Sequence, residues 1–89
     1  MILKSKNMNA KLTIARSMVK VGSSYRHHKG GIYKVKDVIL YEKTLMPIVV
    51  YQDEKNTDLM WGRDIDDFCS MVHINGKHIQ RFKLVECKQ

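Results

Sequence analysis

A chain of 89 residues, 44% hydrophobic and 28% charged, has room for one small core, which excludes a two-domain architecture and a disordered linker alike. Its net charge of +7 is unevenly placed: Met1 to Lys36 holds nine basic residues and no acid, whereas the remainder holds seven basic residues against nine acidic ones. No uncharged run approaches a membrane span and no apolar leader is present, so the expectation is a cytoplasmic protein that meets anionic partners and no membrane.

In chain order, Asn7 or Asn9 can cap a helix, Leu12, Ala15, Met18 and Val19 recur at helical spacing, and Gly22 suits a stop. These signals predict a basic amphipathic helix from Ala10 to Val21, with Lys11, Arg16 and Lys20 directed away from its apolar stripe. Residues 1–22 then form an arm and 23–89 a small β domain. From Tyr25 the period shortens: "GGIYKVKDVILYE" is rich in β-branched and aromatic residues, with Gly30 and Gly31 as the turn that feeds it. Tyr33 and Val35 fall out of phase with Val38 and Leu40, which predicts a bulge near Lys36 and Asp37. "PIVVYQ" is a second strand with Pro47 at its first position, and a short strand follows around Leu59 to Trp61. "RDIDDFCSMV" reads as one helical turn that Asp64 can cap, "VHINGKHI" as a hairpin about Asn75 and Gly76, and "RFKLVE" as the last strand. Five or six short strands with a single helical turn, after the N-terminal helix, predict a mainly β fold, a small, strongly bent antiparallel sheet or partial barrel.

Chemistry is thinly supported by comparison. Cys69 and Cys87 lie far apart without metal or redox spacing, so free thiols are expected, one of them buried. Adjacent His27 and His28 point to opposite faces of an extended backbone, and His73 and His78 flank a turn without a third ligand, so no metal site is assigned. Asp64, Asp66 and Asp67 read as a helix N-terminus with a solvated face. No nucleophile motif is present, and neither a catalytic residue nor a cofactor is assigned.

Anion recognition is better supported. "YRHHKGG" puts Arg26, His27 and Lys29 beside glycines, and "MWGRD" puts Trp61 and Arg63 on one face of a strand, an aromatic platform next to a guanidinium.

These same blocks carry a resemblance. "YRHHKGGIYKV", "VVY", "MWGRDIDDF" and "RF" resemble a family of small bacterial and phage domains of unknown function, whose pattern runs Y-R-H-x-K-G-x-x-Y-x-V, H-S-E-T, V-V-Y, W-x-R-P-x-x-x-F and P-R-F. The matching positions include Tyr25, Arg26, His27, Lys29, Gly30, Tyr33, Thr44, Tyr51, Trp61, Arg63, Phe68, Arg81 and Phe82, and the resemblance implies a compact SH3-like β domain. Here H-S-E-T is "YEKT", Tyr41 to Thr44, so the family's His and Glu are missing, and its two prolines are replaced by Asp64 and Gln80. The helix lies outside the resemblance.

The expected function is non-enzymatic binding of a small phosphorylated ligand such as a nucleotide or cyclic dinucleotide, with sequestration of a host immune signal by a phage protein as its context. The expected ligand-binding set is Arg26, His27, Lys29, Tyr33, Thr44, Tyr51, Trp61, Arg63 and Arg81. Alternatives are an RNA- or DNA-binding module that uses the basic N-terminal half, and a peptide-binding adaptor. A chain this small offers a shallow pocket, so a homo-oligomer, a two-fold dimer first, is expected to deepen it.

Overall fold

Nothing between Lys4 and Asn9 interrupts a helix, since the stretch contains no Gly, Pro or β-branched residue. The computed structural model, which describes residues 2–86, accordingly begins helix α1 well before Ala10, at Ile2–Met18, and Asn7 and Asn9 lie inside it rather than capping it. The helix also ends earlier than expected. The Lys20 amide donates to the Tyr25 hydroxyl at 2.9 Å, and Gly22, at φ +92°, sits in the turn beyond with its amide on the Val35 carbonyl at 2.8 Å.

Ala15 and Val19 are each 1% exposed and enter the core with Leu12 packed against it, whereas Met18, expected in the same stripe, is 51% exposed. Two of the cations on the polar face, though exposed, also reach the sheet. Arg16 donates to the Val38 carbonyl at 2.9 Å and meets the Asp37 carboxylate at 3.3 Å, and the Lys11 ammonium donates to the Leu45 carbonyl at 3.2 Å.

After the helix come strands β1 (Ser24–His27), β2 (Ile32–Tyr41), β3 (Met46–Asp53) and β4 (Met60–Asp64), and the helical turn α2 (Ile65–Phe68). Strands β5 (Met71–Ile74), β6 (Lys77–Gln80) and β7 (Phe82–Leu84) follow, making seven strands where five or six were expected. Pro47 is the second residue of β3, not the first. An antiparallel sheet runs in the order β4-β3-β2-β1-β7, with β5 and β6 as a separate hairpin, and no closed barrel forms. The fold is thus mainly β with one N-terminal helix, as the alternation of apolar residues requires.

The register of β2 against β3 slips between Val35 and Asp37, and that bulge lets Val35 and Val38 both be fully buried. Val49, Tyr51, Ile65, Phe68, Tyr25 and Phe82 complete the core, where the Phe68 and Phe82 rings stack at 4.1 Å. Asn75 and Gly76 both have positive φ, 52° and 76°, as a type I′ turn demands, and this turn brings His73 opposite His78 with stacked rings 4.7 Å apart.

Candidate functional site

Residues directly opposite one another in an antiparallel ladder share a face. Trp61 lies opposite Tyr51, Arg63 opposite Val49, Tyr51 opposite Val35, Tyr25 opposite Tyr33, and His27 opposite Phe82, so five strands deliver these side chains to the core side of the sheet. At the open end of the core they leave a cleft of about 100 Å³ lined by His27, Tyr33, Tyr51, Trp61, Arg63 and Phe82. Its aromatic walls meet edge to face: Tyr33 on Tyr51 at 5.4 Å and His27 on Phe82 at 4.8 Å.

The cleft contains one guanidinium, and that group is held firmly. Arg63 Nε pairs with Asp67 at 3.2 Å, and its Cζ lies 5.5 Å from the centroid of the Phe82 ring. Its Nη1 is buried and has no hydrogen-bond partner. Arg81 stands behind, 3.6 Å from the other Asp67 oxygen and donating to the Ser70 hydroxyl at 2.9 Å. Asp67 therefore bridges two arginines, a role that a solvated acidic face did not anticipate.

His27 Nδ1 accepts the Lys29 amide proton at 3.1 Å, so in the neutral ring Nε2 carries the hydrogen. Burial pushes the His27 pKa below its ordinary value, and His28, Arg63, Arg81 and Lys29 push it the same way. Burial raises the Tyr51 hydroxyl pKa, opposed in part by Arg63.

Five of the nine expected ligand-binding residues converge in this cleft: His27, Tyr33, Tyr51, Trp61 and Arg63. Arg81 adjoins it through Asp67. Arg26 does not, because it alternates with His27 along β1 and emerges on the opposite face beside Lys83. Lys29 reaches the site through its backbone amide, while its side chain is exposed in the β1–β2 turn. Thr44 belongs to the β2–β3 turn, where its hydroxyl accepts the Met46 amide proton at 3.2 Å. Phe82 and Asp67 were absent from the expected set. The R-F pair signalled Phe82, and the spacing of four from Arg63 signalled Asp67.

His28 corrects the argument made for the histidine pair. The strand ends at His27, so the His28 side chain folds back and the two rings lie 4.5 Å apart, not on opposite faces. Among the described residues no group of three or more His, Cys, Asp or Glu is placed to hold a metal ion. Cys69 is a free, exposed thiol whose pKa is raised by desolvation and by Asp66, and Cys87, the other candidate for the buried thiol, lies outside the described residues. No described helix is long and apolar enough to cross a membrane.

No curated protein and no solved structure matches this sequence. A family match covers residues 23–84, the whole five-stranded sheet and the cleft, and leaves out α1. The chain belongs to the family described as protein of unknown function (DUF1653).

Proposed function

We propose that the cleft binds the anionic group of a small phosphorylated ligand, a nucleotide or cyclic dinucleotide, without transforming it. The observation that carries this reading is Arg63, the one cation lining an otherwise aromatic cleft, whose buried Nη1 has no hydrogen-bond partner. A buried donor without a partner costs about 1–3 kcal/mol, and a ligand oxygen that reaches it recovers that cost. Asp67 and Phe82 hold the guanidinium in place before the ligand arrives, and Nε2–H of His27 supplies a second donor in the same cleft.

Cationic guests are disfavoured by Arg63, despite aromatic walls that would otherwise suit them. A cavity of about 100 Å³ takes one phosphate-sized group, so a base would lie outside it on Trp61, which is 47% exposed. A phage protein that withdraws a host's nucleotide signal is the biological role this reading suggests, by analogy of size and charge.

One observation favours nucleic acid as a second reading. Arg26 and Lys83 are cross-strand neighbours on the outer face, without an ion pair between either and any acid among the described residues. Competition separates the two readings.

Trp61 is the single tryptophan, so its emission reports on the cleft. Titration with mono- and cyclic nucleotides is expected to give a saturable change, weakened roughly ten- to a hundredfold in Arg63→Gln and little changed in Arg26→Ala. Equal affinity in Arg63→Gln and wild type would remove the proposal. If long RNA displaces every nucleotide and Arg26→Ala is the weaker variant, the outer-face reading replaces it.

A further inference from the structure

Strand β4 forms one edge of the five-stranded sheet, and its pairing with β3 fixes which of its backbone groups are left over. The Asp53 amide donates to the Leu59 carbonyl at 3.1 Å, which sets these two residues at a hydrogen-bonded position of the ladder, while the Leu59 amide closes the turn on the Asn56 carbonyl at 3.0 Å. Because such pairs alternate along an antiparallel ladder, Tyr51 with Trp61 and Val49 with Arg63 are hydrogen-bonded pairs as well. The amides and carbonyls of Met60 and Gly62 therefore point away from β3, along the open edge.

Exposed edges are ordinarily guarded by lysine, proline, a bulge or a covering segment. Apart from the inward-facing Arg63 and the shortness of the five-residue strand, none guards this one: Leu59, Met60 and Trp61 are 41%, 51% and 47% exposed, no Lys or Pro lies between Leu59 and Asp64, and the β3–β4 register runs without a slip. The stretch is also self-complementary. If "MWGRD" is laid antiparallel on itself about Gly62, the residue on the axis has no side chain to collide, and Trp61 falls opposite Arg63, an aromatic face against a cation.

We infer that the protein forms a two-fold homodimer through antiparallel pairing of β4 with β4 of a second copy. Gly62 meets the partner's Gly62, Met60 the partner's Asp64, and Trp61 the partner's Arg63. A foreign peptide strand would gain the backbone bonds but not this side-chain match, which is why a second copy is the occupant. The two five-stranded sheets join into one of ten strands with both clefts on the same face. Each cleft gains the partner's Trp61 along its rim. That last consequence bears on ligand size and rests on the function proposed above, whereas the dimer itself does not.

The test uses ligand-free full-length protein in a dilution series, followed by sedimentation velocity and by Trp61 emission. Wild type is expected to sediment at twice the chain mass at high concentration and to shift its emission as it dissociates. Met60→Pro removes one outward amide and no β3 bond, and is expected to be monomeric with a cooperative melt. Met60→Lys, which places a charge at the edge and leaves the backbone intact, is expected to weaken association about tenfold or more and covers the case in which the proline variant does not fold. A wild type that stays monomeric throughout overturns the inference, as does a dimer that persists in Met60→Lys while Trp61 emission ignores dilution. Because no ligand is present, either result leaves the nucleotide reading standing.

Discussion

Asp67 is half exposed yet serves two guanidiniums, 3.2 Å from Arg63 Nε and 3.6 Å from Arg81 Nε. It holds Arg63 still, while its own charge, felt at the Tyr51 hydroxyl, opposes an anion in the same cleft. Asp67→Asn, which loses the anchor and the repulsion together, should therefore leave the fold intact and weaken phosphate binding by no more than about fivefold, the upper range of an exposed ion pair, as isothermal titration would show. His27 offers a pH test with two opposite signs. Its pKa is lower folded than unfolded, so the unfolded chain takes up the proton first: stability is full above about pH 6.5 and declines as the pH falls below it. Phosphate affinity should rise over the same descent, since a protonated imidazole beside Arg63 attracts an anion more strongly. His27→Gln should flatten both limbs, the stability limb only in part because the His28 pKa is lowered too. Melting curves and titrations across that range check both. At this scale the sequence was legible wherever alternation was respected: Trp61 and Arg63 are two apart and share a face, whereas Arg26 and His27 are neighbours and cannot.

Among the elements, the β5–β6 hairpin was the easiest to read, because Asn-Gly supplies both positive φ angles of its turn. A Cβ at Gly76 meets nothing within 4 Å, so Gly76→Val is penalised by backbone conformation alone, about 1–2 kcal/mol and more for a β-branched residue. The hairpin is a sheet of its own, so the loss should show first as faster amide exchange in β5 and β6 and only weakly in the global melt. Helix α1 was harder. Its start was misplaced because asparagine signals a cap as readily as it tolerates a helix interior, and its end was set by the Tyr25 hydroxyl, a contact that no local pattern contains. Val19, 1% exposed and just past the end of this helix, is the largest fully buried side chain that ties the N-terminal segment to the sheet. Val19→Ala should cost about 2–3 kcal/mol, read from chemical denaturation, whereas Met18→Ala, half exposed, should cost far less.

For the molecule as a whole, the family match starts at residue 23, where the arm was expected to end, yet α1 and the residue after it place Ala15 and Val19 in the common core. A chain of residues 23–89 is thus expected to keep a cooperative thermal transition at a lower temperature than the full chain. Absence of any transition would make the helix an integral part of the folding unit. The overall charge was legible at once, but not its distribution in space: Arg16 is paired with Asp37, and Arg16 and Lys11 are anchored to the Val38 and Leu45 carbonyls although both remain exposed. Convergence of five strands on one cleft was visible only through the recurring aromatic and arginine blocks, since no single stretch of sequence contains it. The bulge at Lys36 carries a consequence for inheritance. Lys36 is the extra, solvent-exposed residue of that bulge, so loss of its one codon would leave Val35, Asp37 and Val38 opposite Tyr51, Val50 and Val49 in an unbroken ladder, with both valines still turned inward. In a mutational library an in-frame deletion of Lys36 should therefore be accepted more often than a deletion of Lys34, which would put Tyr33 and Val35 on opposite faces.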